Sequence, residues 1–572
     1  MKRRISPFVI SIAPGTLFSL ILLWLSSTNE WGARRFTLFD DAMISMSYAK
    51  TLVKTGEFVW FADAPRVEGF TNPLWTLWMS LIHLLGLKGS SAALAISLTG
   101  LALLVATAWL IYDLVENSTT SQSVAVGAIA AGSSLFIYPT LYWTLRGMEV
   151  GVLAFFTAFL VRTTVSNTLS PTPKIKASIA IIFFLGVATR FDFVIICAVV
   201  SLALTAWSPR EERTKTALTY GLIIVASLVA VCGIQKVYWG SWFPNTYHLK
   251  IDGVDLFERL CRGLASGLKV SVLGVIFVFV LLNAPKLLVV PRRTVALSIS
   301  IFMAMVAYST YIGGDAWEDQ MVNRFFATCL PLVPLVIFVA VPMIDVRKVS
   351  RYFLPSLVVA SLGYGATVNP FGISTRNLLM SVVATSVGVL LIIGATRSTT
   401  SIIRVLSSVA VLVTAFGAVS GIPFQRHLRN NDALGAKVNL YVTEVVENLA
   451  PITSSEAVIA TVWAGVPAYY SDRSMIDLLG KNDVLIASSP PRGDFFPGHN
   501  KWDYNYSIGQ LRPDVIFQTF TRGLETNLQE RIREWGYEKY CTSAQPFPKD
   551  GVYFRVDSTR INWSKLVPCR SS

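Results

Sequence analysis

A chain of 572 residues that is 53% hydrophobic and 15% charged, with its apolar residues gathered in runs of roughly 15 to 22, is built to cross a ~30 Å hydrocarbon layer many times. The formal charge of +14 does not point to nucleic acid, because Lys and Arg fall as short clusters between apolar runs, as in loops held on the cytoplasmic side of a membrane. No P-loop, dinucleotide glycine pattern, HExxH, nucleophile elbow or CxxC occurs, which argues against nucleotide hydrolysis, redox chemistry and serine hydrolysis.

In chain order, Met1 to Arg4 and then Ile5 to Leu25 give a basic-then-apolar start, and Ser26 to Glu30 offers no small-x-small cleavage site. This predicts an uncleaved anchor with a cytoplasmic N-terminus. Spans are predicted near 7–25, 91–112, 122–141, 149–166, 177–189, 191–207, 216–236, 267–284, 294–312, 325–343, 351–367, 378–394 and 405–420, about thirteen in all. The first extracytoplasmic loop, 26–90, is expected to carry juxtamembrane helices and includes Pro73 to Leu87, which is apolar but short and carries His83 and two Trp. It is predicted to lie at the outer surface without crossing. Lys174, Arg210, Arg213, Arg292, Arg293, Arg347 and Arg397 then fall in cytoplasmic loops, as the bias of short basic loops requires; a crossing would turn them all outward. The acidic loop Asp113 to Ser121, without Lys or Arg, runs against that bias.

After Ile422 the composition changes. Strands are predicted at Val458–Val462, Val515–Thr519 and Val552–Val556, and helices at Asn439–Leu449 and Thr526–Trp535. The expected architecture is a polytopic α-helical membrane protein, 1–420, followed by an extracytoplasmic α/β domain, 421–572. Of six cysteines, only Cys541 and Cys569 fall in that domain; an oxidising compartment would permit a bridge, and two unpaired thiols are the alternative.

The polar residues placed on the outer side are concentrated. Asp40 and Asp41 follow the first span, and EGFTNPLW, 68–75, adds Glu68 and Asn72. Arg146 and Glu149 lie in LRGMEVG, Arg190 and Asp192 in TRFD, and the later loops read WFPNTYHLK, 242–250, and GGDAWEDQMVNRF, 313–325. Singly, each has an ordinary role: helix-start acids complement the helix dipole, interfacial Arg snorkels, and Pro244-Asn245 is turn chemistry. Together, at the ends of many spans on one side, they could line one cavity where an enzyme handles a lipid-linked substrate. His248 and His499 are not spaced as a metal site.

The order of these stretches, with MIDLLGKND at 475–483 and GHNKWD at 498–503, resembles the GT-C glycosyltransferases across nearly the whole chain. It looks most like the cell-wall terminal arabinofuranosyltransferase (AftB-like) group. Two positions depart: Arg146 stands where the group has Ser before GME, and Phe191 where it has Pro. The resemblance implies transfer of a sugar, arabinofuranose in the first instance, from a polyprenyl-phosphate donor to a cell-envelope glycan or glycoprotein on the extracytoplasmic face of the cell membrane. Transfer of mannose or aminoarabinose, and transport of a lipid-linked sugar, are the alternatives.

The resemblance also assigns roles. A first-loop Asp is the catalytic carboxylate, which maps onto Asp40 with Asp41 beside it, and such a carboxylate takes the acceptor proton as the new bond forms. Arg324, Lys250 and His248 are expected to hold the donor phosphate, a guanidinium gripping two oxygens at once. Asn245 and Asp315 would read sugar hydroxyls, and Glu68, Asn72, Glu149, Arg190 and Asp192 would line the sugar and acceptor site. His499 and Lys501 would close over it, and Trp75, Trp242 and Trp317 would offer stacking faces. Asp40, Asp41 and Glu149 could hold a divalent metal between them, although none is expected.

Overall fold

The structure, a computed structural model, describes residues 2–30, 33–118, 123–166, 172–283, 289–318, 321, 323–340, 424, 426–427, 430 and 432–569. The expected spans at 351–367, 378–394 and 405–420, and the basic loops between them, lie outside the described residues.

Helix α1 (Lys2–Leu25) is followed by a small antiparallel hairpin, β1 (Thr28–Glu30) and β2 (Ala33–Arg35). The long first loop then folds into two helices, the second on the apolar stretch 73–87. The first, α2 (Asp40–Thr55), has both acids in its first turn, where they complement the positive end of the helix dipole. Gly56 closes it in the left-handed conformation, φ 79°. The second, α3 (Pro73–Leu84), starts on a proline whose missing N–H costs nothing at a first turn. Its 12 residues reach only about 18 Å, too short for the bilayer core, and His83 Nε2 lies 3.0 Å from the Tyr469 hydroxyl of the C-terminal domain. The C-terminal end of helix α3 thus packs against that domain.

Next come α4 (Gly89–Ser118), α5 (Ser123–Ser134) and α6 (Tyr138–Leu145). The last two stand where one span, 122–141, was expected, and they meet at a 53° bend. Pro139, in the first turn of α6, has no N–H with which to continue the ladder of α5, so the chain breaks ahead of it. Helices α7 (Val150–Ser166), α8 (Pro173–Thr189), α9 (Phe193–Trp207) and α10 (Arg213–Trp239) follow the predicted spans closely. After them come α11 (Asn245–Ile251), α12 (Leu256–Leu268), α13 (Ser271–Asn283) and α14 (Val289–Ile312). The start of the span expected at 325–343 is split into α15 (Arg324–Ala327) and α16 (Leu332–Ala340), the break falling at Pro331. Among the described residues four helices, α1, α4, α10 and α14, are long and apolar enough to cross a membrane, and the bent pair α5–α6 would make a fifth.

The C-terminal domain is a mixed six-stranded sheet in the order β4-β3-β5-β7-β6-β8. The strands are β3 (Val458–Thr461), β4 (Ser474–Asp477), β5 (Val515–Ile516), β6 (Tyr537–Cys541), β7 (Val552–Arg555) and β8 (Val567–Pro568). Both neighbours of β3 run parallel to it, while the pairs beyond β5 are antiparallel. Helices α17 (Lys437–Leu449), α18 (Val466–Ser471), α19 (Val484–Ser488) and α20 (Leu528–Glu534) accompany the sheet. Three strands and two helices lie where the sequence predicts them; β4, β6 and β8 were not anticipated. Cys541 and Cys569 are bridged across 5.0 Å of Cα separation and tie β8 to the end of β6.

One core, which includes Trp502, Ile516 and Tyr537, belongs to the C-terminal domain alone. The other runs without interruption from the membrane helices through Met43 and Ala49 of α2 to Ala464, Tyr469 and Val515. The two parts are thus fused along α2. At Gly465 the backbones come close: a Cβ there would stand 2.0 Å from the Asp40 carbonyl oxygen, so only glycine fits.

Candidate active site

The N-terminal end of α2 points into a cavity of about 60 Å³ where the loops of the membrane part meet the C-terminal domain. Asp41 lines it, and each carboxylate oxygen has a cationic partner: Lys481 Nζ at 2.7 Å and Arg324 Nη1 at 2.9 Å. Lys481 comes from the turn after β4, and Arg324 opens α15. A second carboxylate, Asp315, lies 3.0 Å from Arg324 Nε, so the guanidinium spans the two acids. Burial alone would raise the Asp41 carboxyl, but Lys481 and Arg324 outweigh it and hold it well below the usual carboxylate range.

Asp40 has a different environment. Successive helix positions are rotated by about 100°, and its carboxylate turns away from the cavity to accept the backbone N–H groups of Gly465 (3.2 Å) and Val466 (2.8 Å). It caps the start of α18 in the way an N-cap acid does. Burial raises it to about 6, against the pull of Lys481.

Lys250, on α11, lines the cavity without a hydrogen bond or ion pair among the described residues. Burial, helped by the nearby Arg324 charge, lowers its ammonium to about 8. His499 lines the cavity as well, with Nδ1 2.9 Å from the Pro497 carbonyl, and burial with Lys481 lowers it to about 4, which leaves a neutral imidazole. Three buried polar atoms of cavity-lining residues have no hydrogen-bond partner among the described residues: Asp315 Oδ2, Trp317 Nε1 and Thr246 Oγ1. Asp315 Oδ2 meets Arg324 as an ion pair by distance without hydrogen-bond alignment. A donor and a hydroxyl left open around one cavity, beside a carboxylate with lone pairs to spare, suit a ligand that carries hydroxyls.

Behind the cavity a relay ties three loops together. Ser45 Oγ donates to Asn72 Oδ1 (2.7 Å), Asn72 Nδ2 donates to Glu149 (2.9 Å), and Glu149 meets Arg190 at 2.8 Å. Arg190 also pairs with Asp192. Ser45 and Asn72 line the cavity, whereas Glu149, Arg190 and Asp192 stand behind it. Glu318 fixes the GGD turn from its own side, accepting from Asp315 N (2.7 Å) and Asn323 Nδ2 (2.9 Å).

Several residues expected at the site sit elsewhere. His248 pairs with Asp252 at 2.8 Å, half-exposed and outside the cavity. Lys501 donates to the His248 and Ala487 carbonyls, and Asn245 donates to the carbonyls of Gly480, Lys481 and Asp483, which fixes the turn that delivers Lys481. Glu68 is buried against Gln235 of α10 at 3.0 Å. Trp75 donates its N–H to the Gly147 carbonyl, and Trp242 is more than half exposed, so of the three tryptophans only Trp317 faces the cavity. Arg146 is buried between the two parts, donating to Leu434 O and Asn439 Oδ1; it latches the domains and does not reach the cavity. Asp40, Asp41 and Glu149 are held by backbone amides, by Lys481 and Arg324, and by Asn72 and Arg190 respectively, so they do not form a metal-ligand set. Among the described residues no group of three or more His, Cys, Asp or Glu could hold a metal ion. The residues that sequence reasoning did not single out are Lys481, Thr246, Ser45 and Glu318. Of these only Ser45 lay outside the stretches already quoted; Lys481 is in MIDLLGKND, Thr246 in WFPNTYHLK and Glu318 in GGDAWEDQMVNRF.

The solved structure of ArnT from Cupriavidus metallidurans bound to undecaprenyl phosphate matches over 96% of this chain and 98% of its own, at 13% identity and TM-score 0.52. The fold is that of the GT-C membrane proteins. The same ArnT in the apo state matches over 82% of this chain and 86% of its own, at 14% identity and TM-score 0.47. The apo oligosaccharyltransferase of Archaeoglobus fulgidus matches over 97% of this chain and 75% of its own, at 12% identity and TM-score 0.46. Residues 430–557 match a family model described as Domain of unknown function (DUF8728), which takes in the sheet from β3 through β7. No curated protein matches the sequence.

Proposed function

We propose that the protein is a membrane glycosyltransferase that moves a sugar from a polyprenyl-phosphate carrier to a glycan or glycoprotein acceptor of the cell envelope. The observation that carries this reading is the charge arrangement of the cavity. Lys250, Arg324 and Lys481 line the cavity beside two carboxylates, Asp41 and Asp315, and Lys250 has no ion pair among the described residues, so it is open to a negative charge. The phosphate of a polyprenyl carrier supplies that charge, and the ArnT structure holds such a group, in undecaprenyl phosphate. Arg324 and Lys250 take the phosphate role, with the guanidinium able to grip two oxygens.

In this reading Asp41, the acid of the pair that faces the cavity, is the catalytic carboxylate. The acceptor hydroxyl attacks the anomeric carbon, its proton passes to Asp41, the bond from the anomeric carbon to the phosphate oxygen breaks, and the electron pair leaves with the lipid phosphate. A carboxylate at that spot also stabilises the positive charge that develops on the sugar ring. Asp40 is a positioning residue that pins the start of α2 to the C-terminal domain. Asp315 Oδ2, Trp317 Nε1 and Thr246 Oγ1 read sugar hydroxyls. Arabinofuranose is the sugar proposed, on the motifs shared with terminal arabinofuranosyltransferases. The Cys541–Cys569 bridge supports placing the C-terminal domain outside the cell membrane, since such bonds persist in oxidising compartments.

The test is sugar transfer by the purified protein from radiolabelled polyprenyl-phosphoryl arabinofuranose to a short arabinan, beside the corresponding mannose donor. Turnover with the arabinose donor supports the full proposal, turnover with mannose alone corrects the sugar, and lipid scrambling without transfer replaces it with transport.

A further inference from the structure

A second and larger cavity, about 180 Å³, opens on the far end of α2, between that helix, the segment 60–63 and the C-terminal domain. Ser47, Lys50, Thr51 and Lys54 line it from one helix face, at the i, i+3, i+4, i+7 spacing that puts four side chains on one side. Asp63 and Phe61 face it from the loop, and Asp472, Arg473, Ser455 and Ser474 from the C-terminal domain.

The lining does not satisfy itself. Among the described residues Asp63 has no cationic partner, and the hydroxyls of Ser455 and Ser474 make no hydrogen bond. Arg473 is held only by the main-chain carbonyls of Ser471, Ala450 and Thr453, with its Nε buried and unpartnered. Lys50 meets Asp472 at 2.8 Å, but Lys54 reaches the same carboxylate only at 4.0 Å. Open acceptors and open donors thus stand side by side. An anion would meet two carboxylates here and a cation three positive groups, whereas a sugar hydroxyl both donates and accepts. Phe61, half-buried at the rim, adds an apolar ring face. Asp63 and Asp472 are both in the left-handed conformation, φ 65° and 52°. Asp472 closes α18 there as its C-cap.

We propose that this cavity is a second glycan-binding subsite, which holds the body of the acceptor chain while its end is glycosylated at Asp41. The acceptor role rests on the transferase reading above; the carbohydrate-binding role does not. Nine residues of α2 separate Asp41 from Lys50, about 14 Å along the axis, so a chain of several sugars engages both sites and a disaccharide only one.

The experiment uses the full-length protein in detergent, with short linear oligosaccharides of arabinofuranose and of mannose as probes. Binding is measured by calorimetry in the wild type and in Lys54→Ala/Asp63→Gly, which alters two exposed side chains and suits the left-handed backbone at position 63. The wild type should bind at least one of the two oligosaccharides, and the variant should bind it about tenfold more weakly, with an unchanged melting temperature. In transfer assays KM for a hexasaccharide acceptor should rise by a similar factor, with kcat and the KM for a disaccharide acceptor unmoved. Equal affinity in variant and wild type, or binding of neither oligosaccharide by the wild type, overturns the proposal. Because the binding arm needs no turnover, a protein that binds and does not transfer sinks the catalytic reading and leaves this subsite standing.

Discussion

Replacing Lys481 with methionine removes one of the two cations that hold Asp41 and leaves a side chain of similar length. The ion pair is 2.7 Å long, with its side chains only 9% and 15% exposed. At an effective dielectric constant of 20 its Coulomb energy is about 6 kcal/mol, much of it offset by the desolvation of both groups. Truncating one partner of a buried pair costs about 3–5 kcal/mol, and since Arg324 still serves the other oxygen of Asp41, a loss near the lower end, about 3 kcal/mol, is expected. The pair also bridges the C-terminal domain to α2, so the loss should show as a melting temperature lower by several degrees in detergent. The pH dependence has a definite sign. Asp41 is held below the usual carboxylate range, so its contribution to stability is present above the unfolded value and lost as pH falls through the folded one. Without Lys481 that folded value rises, and the acid limb of the rate profile moves to higher pH. Asp40, which Lys481 also lowers, moves the same way. Assay of transfer from pH 4 to 9 with parallel melting curves reads both effects. An acid limb and a melting temperature that both match the wild type would show that Lys481 does not set the charge of Asp41.

Lys250 should lose its charge as pH rises through about 8, so KM for the lipid donor should climb above that pH with kcat steady, and Lys250→Met should abolish the climb. Trp317→Phe keeps the ring and removes the unpartnered N–H; kcat/KM should fall about tenfold, the worth of one neutral hydrogen bond, with no change in melting. Gly465→Ala puts a methyl group against the α2 backbone and should lower both activity and melting temperature, whereas Gly233→Ala, with open space around it, should do neither. Cys541→Ser opens a loop of 28 residues, and the chain-entropy relation gives a loss of about 3.6 kcal/mol in the C-terminal domain, visible as earlier proteolysis of that domain.

What the sequence makes legible is what repeats or stands at a boundary. The apolar runs at 149–166, 191–207 and 216–236 mark α7, α9 and α10 because a helix facing lipid needs a continuous apolar stretch. The acids and bases at the ends of those runs point to a shared cavity for the same reason. The cavity itself depends on contacts that leave no periodic trace. Lys481 is 440 positions from Asp41, and nothing in GKND says which carboxylate it will meet. Asp40 and Asp41 are adjacent letters, yet the helical rotation sends one to the backbone of Gly465 and Val466 and the other into the cavity. The bounds of helix α2 within the first loop were not legible because it is buried on several sides, so its apolar residues follow no single stripe. The bend at Pro139 was in the letters, but hydropathy averages over it.

Asp41→Asn and Asp40→Asn, assayed side by side for transfer from a polyprenyl-phosphoryl sugar, test the central claim most directly. Each swap removes one charge and keeps the shape, and the amide oxygen introduced at position 40 can still accept the Gly465 and Val466 N–H groups. The account predicts that Asp41→Asn abolishes turnover, while Asp40→Asn, folded and with its buried charge gone, keeps a substantial fraction of it. An Asp41→Asn protein that turns over as fast as the wild type would contradict it.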